Sequence, residues 1–463
     1  MRFSSLKDDS GYAITFILMV TFVVTTLLVS ILMIVYFTNL QAVKRIEKRK
    51  IDLACYSALQ KILSGDPQTY NLNNFNINNV TMNISYSMRG LFKQVTITGK
   101  TKNDSSKVEY LLADKVSYPF DNALILSQPN LNATVAGVTK ITGNILVTRK
   151  AIQRGSIFGI RNSNENYLDG NINVDQNLET KFYDDSLLLN VLYKQPPENT
   201  FTINKDYILN NESLPLLDSL HFVSISGNLI IEDSTIIAPQ KPTKIPISIF
   251  VHGNTTVGAG TYLNFPVNIY SDSSVFLEEN ASLKNSIVSS RGSIIINKDC
   301  YFEGCQFFSM NNIEVSQSKF EYPSILGIYV NTTKSSSYKD EIQLKSSILN
   351  GSILLLSAQA GLSQNKSKIL INDSSKVQGL IYSENNVDIS SNVIGIVYTY
   401  QFWFYKEPSE YINWLVNLNL DRKKLNQWFL LPVGFKTGGT SGFPFSQTSS
   451  FADLSILRQE WIY

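Results

Sequence analysis

Residues 269–315 read IYSDSSVFLEENASLKNSIVSSRGSIIINKDCYFEGCQFFSMNNIEV, and within them short apolar runs return about every 19 residues. Ile269, Ile287 and Phe307 begin one set, spaced 18 and 20; Val275, Ile294 and Ile313 begin another, spaced 19 and 19. Between the runs lie Ser271-Asp272-Ser273, Ser290-Arg291-Gly292 and Met310-Asn311-Asn312, all turn compositions. Short strands joined by tight polar turns at a period near roughly 20 residues suit a parallel β-helix, in which each coil buries its inward side chains on the next. A β-sandwich would show fewer, longer strands without a sustained period.

The pattern extends outward from this stretch. Lys376-Val377-Gln378-Gly379-Leu380-Ile381-Tyr382-Ser383 returns 16 residues later as Asn392-Val393-Ile394-Gly395-Ile396-Val397-Tyr398-Thr399. Lys140-Ile141-Thr142-Gly143-Asn144-Ile145-Leu146-Val147 resembles Ser224-Ile225-Ser226-Gly227-Asn228-Leu229-Ile230-Ile231. The sequence therefore predicts a parallel β-helix over 117–400, with Pro239 to Pro246 and Asn331 to Asp340 as loops. Asn254, Asn280, Asn297, Asn311 and Asn312 are expected at turns, in left-handed conformations or side-chain ladders. Residues 401–463, with Trp403, Trp414 and Trp428, read as a partly helical cap over an open sheet edge, followed by a flexible tail from Lys436. Upstream, 66–116 reads as a small antiparallel meander with strands at Val80–Tyr86, Leu91–Ile97 and Val108–Leu112.

The N-terminus carries a different signal. Tyr12 to Phe37, YAITFILMVTFVVTTLLVSILMIVYF, is a 26-residue run without a charge behind an 11-residue leader ending in Ser10-Gly11. As a helix it reaches roughly 39 Å, more than the ~30 Å core of a bilayer. Beyond it, 38–63 continues as an amphipathic stalk with a stripe of Leu40, Val43, Ile51, Ala54, Ala58 and Ile62, and no Pro or Gly interrupts before Gly65.

A short polar leader, a Gly, an apolar helix and an amphipathic continuation resemble the N-terminus of type IV pilins and their type II secretion relatives. Gln41-Ala42, Arg45, Arg49, Asp52, Ala54 and Tyr56-Ser57-Ala58-Leu59 resemble the segment that follows in minor pilins of the PilX type. The resemblance covers residues 1–63. It implies membrane anchoring, packing with other pilin-like subunits, and a prepilin peptidase cut between Gly11 and Tyr12. The chain departs from the major-pilin pattern at Phe16, where those proteins carry Glu, and at the acidic Asp8-Asp9 of the leader. The V-x-G-[LI]-[IV]-Y segments are similar in texture to bactofilins, which implies a second reading: a membrane-tethered cytoskeletal scaffold that self-associates end to end.

Charge sets these readings against each other. Arg2 and Lys7 oppose Asp8 and Asp9 ahead of the apolar run, while Lys44, Arg45, Lys48, Arg49 and Lys50 outnumber Glu47 and Asp52 behind it. A strict positive-inside count leaves the large C-terminal part in the cytoplasm. On a stalk that rises about two turns above the bilayer the same residues escape that rule, and the pilin-like reading places this part in the periplasm or outside.

No chemistry stands out. Residues 1–63 hold 8 basic and 4 acidic residues of the chain's 40 and 38, so the remainder is near neutral and offers no basic surface for nucleic acid. His221 and His252 lack metal-ligand spacing. The neighbouring acids Asp184-Asp185 and Glu278-Glu279 point to opposite faces if on strands and cannot flank one glycosidic bond by themselves. Gly155-Ser156-Ile157-Phe158-Gly159 resembles a nucleophile elbow only loosely. The sequence predicts neither catalysis nor a cofactor, although a polysaccharide-acting β-helix enzyme stays open as a lesser alternative. Cys300 and Cys305 either pair in an oxidising compartment or remain small buried hydrophobes. The first expectation is an envelope protein of a type IV filament or secretion system, single-pass in a bacterial cell membrane, with an exposed β-helix for adhesion or assembly.

Processing tests the N-terminal reading. Co-expression with a prepilin peptidase should shorten the chain by its 11-residue leader and leave Tyr12 as the N-terminus on Edman sequencing or intact mass. Met1 retained in peptidase-positive cells makes the segment a plain signal anchor.

Overall fold

The computed structural model describes residues 10–64, 73–129, 132–149, 152–211, 221–237, 246–331, 340–361, 366–372, 374–436 and 454–462. The chain divides into two compact units: residues 1–86 with 95–110 and 459–463, and residues 87–94 with 111–458. The path thus leaves the first unit for the second and ends back in the first.

In the first unit, helix α1 (Ser10–Leu63) runs unbroken for 54 residues, about 80 Å at 1.5 Å per residue. The apolar run and the stalk are one element, because nothing in the sequence between them breaks a helix. Strands β1 (Asn73–Ile77), β2 (Val80–Arg89), β3 (Phe92–Lys100) and β4 (Ser105–Lys115) form the meander in sequential order, and β1 pairs antiparallel with β2. Alternate residues Val80, Met82 and Ile84, with Val95, Ile97, Val108 and Tyr110, are buried, as are Ile51, Ala54, Cys55, Ala58, Leu59 and Ile62 of α1. Helix and sheet touch closely at Gly99, where a Cβ would stand 2.7 Å from Ile51 Cγ2 and 3.2 Å from Cys55 Sγ. The expected stripe is corrected at its start: Leu40 and Val43 are exposed, and packing begins at Ile51.

The second unit is a parallel β-helix built on one 29-stranded sheet. Each regular coil contributes three short strands, for example Val267–Ser271, Val275–Leu277 and Ser282–Lys284, which lie in register on Ile287–Ser290, Ile294–Ile296 and Tyr301–Glu303. Val275, Ile294 and Ile313 stack as the sequence predicts. The other set does not. Ile269 pairs with Val288, and Val288 with Phe307, a spacing of 19 and 19, while Ile287 pairs with Asn268 and Gln306. Side chains alternate along a strand, so the one-residue slip puts Ile287 on the outer surface of the sheet. There it joins a second apolar layer with Phe250, Tyr270, Phe308, Ile325, Leu354, Leu380 and Ile396.

Coil order departs from chain order. The inward ladder runs Val223, Ile249, Ile269, Val288, Phe307, Leu326, Ile353, Ile381, Val397 and then back to Leu124, Ile145 and Ile172. The coils nearest the N-terminus therefore stack beyond the last repeat. The chain then returns through helix α2 (Asp185–Leu192) and starts the opposite end of the stack at Phe201–Ile203. Leu188, Val191 and Leu192 of α2 cover the outer apolar layer together with Leu91, Phe92, Phe120, Leu425, Phe429, Leu431 and Phe435.

Residues 401–436 are not a helical cap. Among the described residues after Tyr400 there are strands and turns and no helix: Asn392–Lys406 folds back antiparallel on Ser409–Ile412, and Trp414–Val416 and Asn419–Asp421 join the coils. Residues 422–436 cover the side of the stack rather than its end. Most of the tail beyond Lys436 and nearly all of the two expected loops lie outside the described residues, apart from a strand at Leu454–Ile462.

The repeated V-x-G has a steric cause. Gly351, Gly379 and Gly395 stack in register with φ of +156°, +142° and +155°, and a Cβ on any of them would come within 1.9 Å of the carbonyl oxygen one coil below. No side chain fits between coils this close. Asn280 occupies a left-handed turn at φ 60°, and the Asn254 side chain accepts from Ser274 N at 3.1 Å, while its own backbone N–H donates to Asn228 Oδ1 at 2.9 Å.

The ladder makes a direct prediction. Ile294 is fully buried between Val275 and Ile313, whereas Lys298 lies in an exposed turn and bridges Glu279 at 3.1 Å. Ile294→Asp should cost several kcal/mol, about the penalty of an unpaired buried charge, and Lys298→Asp about 0.5 kcal/mol or less. Thermal unfolding of the detergent-solubilised chain measures both; equal stability of the two variants would contradict the inward ladder.

Candidate functional site

The feature with the clearest physical use is α1 itself. From Ile14 onward it is long and apolar enough to cross a membrane, and its large side chains from Tyr12 to Phe37 are all exposed. Threonine and serine hydroxyls within it bond their own helix: Thr21 donates to the Ile17 carbonyl at 2.7 Å, Thr26 to Phe22 at 2.6 Å and Ser30 to Thr26 at 2.7 Å. In hydrocarbon no water could take those bonds. Gly11 and Tyr12, the residues flanking the expected cut, lie in the first turn of α1, and residues 1–9 of the leader fall outside the described residues. Past the apolar run, Ile46, Leu53 and Tyr56 stay exposed on the side of α1 opposite Ile51, Cys55, Ala58 and Ile62.

The residues that sequence reading examined for catalysis have structural duties. Asp184 caps α2 by accepting from Ser186 N at 3.0 Å, and Asp185 holds Lys181. Glu278 accepts from Asn297 Nδ2 at 2.7 Å, and Glu279 meets Lys298 one coil on. His252 Nδ1 contacts Asp272 at 2.7 Å, and Asp272 also receives Arg291 at 2.9 Å, on an exposed turn; His221 is exposed. Gly155 to Gly159 spans a small antiparallel hairpin rather than the strand-to-helix turn of a nucleophile elbow. Cys300 and Cys305 are free thiols in the core, directed at the carbonyls of Glu278 and Leu283 at 3.1 and 3.2 Å, and burial pushes them up to about 11 and about 12. Among the described residues, no three His, Cys, Asp or Glu side chains gather as a metal-binding group.

One cluster escaped the sequence reading. Glu384 is fully buried under the α2 segment, where it accepts from Ser357 N at 2.8 Å and from the Tyr382 hydroxyl at 3.1 Å. The Tyr382 hydroxyl in turn accepts from Phe182 N at 2.8 Å. Lys181 Nζ lies 3.8 Å from Glu384 but binds Asp185 more closely and donates to the Ser357 carbonyl at 3.2 Å. Burial above all, with the Asp185 charge beside it, pushes the Glu384 carboxyl up to about 8 against the pull of Lys181. The group ties the returning segment to the stack. Its sequence signal was an acid closing an apolar repeat strand, at the place where the next coil has Tyr400.

No family model matches the chain, and no curated protein matches it. Among solved structures, the crystal structure of the competence-associated pilin ComZ from Thermus thermophilus matches over 90% of this chain and 96% of that one, at 9% identity and a TM-score of 0.20.

The Glu384 cluster sets a pH dependence. With the native carboxyl raised from its ordinary 4.5 to about 8, the native state holds the proton more tightly than the unfolded chain. The resulting stability is complete below about pH 4.5 and is lost as pH rises to about 8, at no more than about 1.4 kcal/mol per pH unit. Melting temperatures of the wild type relative to Glu384→Gln should therefore fall across that window; parallel curves would mean that Glu384 ionises normally.

Proposed function

We propose that this chain is a non-catalytic, single-pass envelope protein of a bacterial cell membrane. In this reading it is a minor pilin-like or pseudopilin-like subunit that carries its β-helix into the periplasm or beyond for adhesion or assembly. The observation behind it is α1. One helix supplies a run long and apolar enough to cross a membrane and then packs one face under an antiparallel meander, while Ile46, Leu53 and Tyr56 are left exposed on the other. An apolar helix face held in water beyond a bilayer is costly unless another helix covers it, and neighbouring pilin-like subunits have such helices. The β-helix then enters as an insertion in the path of the first unit. A prepilin peptidase acting at Gly11-Tyr12 is the processing step this reading requires.

A second reading, the membrane-tethered scaffold that polymerises end to end, draws on the ends of the stack. Among the described residues, Phe201–Ile203 and Ile172–Val174 are each paired on one side only. Topology separates the two. Protease added to intact spheroplasts should degrade residues 66–463 if the pilin-like reading holds. Full protection until the cells are lysed would put the β-helix in the cytoplasm and favour the scaffold.

A further inference from the structure

The hairpin Ser156–Ile157 and Ile160–Arg161 turns through Phe158 and Gly159, with φ of 50° and 76°. Both central residues are left-handed, the two-residue turn for which Asn-Gly is the favoured pair. A Phe there is strained, and the strain is not repaid by burial, because Phe158 remains 47% exposed. Next to it stands the longer hairpin formed by Trp403–Lys406 and Ser409–Ile412. Tyr411 meets the Phe158 ring edge-on at 5.4 Å, and Ile157 and Val416 close a small apolar core beneath. The two hairpins thus make one knob with a supported base and an apolar crown of Phe158 and Ile160, 47% and 51% exposed; Tyr405 and Ile412 lie on the other face of the longer hairpin, because Phe404 and Tyr411 are the pair that meets Phe158.

The charges around that crown are mostly positive. Lys406 Nζ lies 4.2 Å from the centre of the Phe158 ring, Arg161 is exposed at the end of the same hairpin, and Arg154 is exposed over Tyr167. Of the acids on the knob, Glu410 is bridged to Lys366 at 3.3 Å, and only Glu407 stands at the tip. The branched aliphatic Ile160 beside the Phe158 ring does not offer the flat face on which a sugar stacks, but both side chains insert into acyl chains. Cations at the rim match anionic headgroups.

We propose that this knob docks on the surface of an anionic lipid bilayer, with Phe158 and Ile160 inserting below the headgroups and Arg161 and Lys406 pairing with their phosphates. The assignment does not depend on the pilin-like reading of α1. It is tested with the full chain held by its anchor in phosphatidylcholine nanodiscs and mixed with separate vesicles, followed by flotation. The wild type should float with vesicles containing phosphatidylglycerol and stay down with pure phosphatidylcholine. Phe158→Asn should weaken flotation about tenfold while melting at the same temperature or higher, because Asn suits the turn better than Phe. Arg161→Glu with Lys406→Glu should abolish flotation. Flotation unchanged by Phe158→Asn, or equal on neutral vesicles, overturns the proposal. So does Phe158-dependent clustering of the nanodiscs without vesicles, which would make the crown a contact between copies of this chain.

Discussion

A coil of this β-helix cannot bury its own core. Ile294 is dry only because Val275 lies below it and Ile313 above, and the same holds at every level of the three inner ladders. Everything else in the second unit follows from keeping successive coils in step. A residue out of phase by one position does not loosen the ladder but changes sides, as Ile287 does. Where coils must come closest, even a methyl group is excluded, and the Gly351, Gly379 and Gly395 stack results. Polar corners obey the same rule: the Asn228 and Asn254 side chains each bond a backbone N–H of the coil that follows.

The outer side of one sheet face is nearly as apolar as the inner, which is why Ile353, Leu354, Leu355 and Leu356 read as a continuous hydrophobic string rather than an alternating one. Such a face needs a cover. The chain provides it by sending α2 and residues 422–436 along the stack, and a buried carboxyl, Glu384, ties the α2 segment down through Ser357 and Tyr382. Taking a carboxyl out of water is unfavourable unless it is neutral or paired. A tie built this way is sensitive to proton concentration in a manner that packed leucines are not.

In the first unit one helix serves two solvents. Its upper residues form half of a small core with the meander, and its lower residues carry threonine and serine hydroxyls that bond their own helix, as a hydrocarbon surrounding requires. The absence of a helix breaker between Tyr12 and Leu63 makes the two halves mechanically one. That continuity is what the proposed role as an anchored, assembling subunit uses.

The sequence by itself determined the elements whose cause is local: the apolar run of α1, the period of about 19 residues, the stack of Val275, Ile294 and Ile313, and the left-handed Asn280. These depend on residues within one turn, one strand or one coil of each other. The tertiary structure decided what depends on distant partners. That Val288 rather than Ile287 faces inward, that Leu124 stacks on Val397, that residues after Tyr400 are strands, and that Glu384 ends up beneath α2 are all settled by which surfaces remain to be covered once the coils have stacked. Short β segments carry no mark of their neighbour's identity, because a parallel ladder bonds backbone to backbone and accepts any coil of the right width. The order of coils is therefore a property of the assembled stack, fixed by long-range closure and not by local pattern.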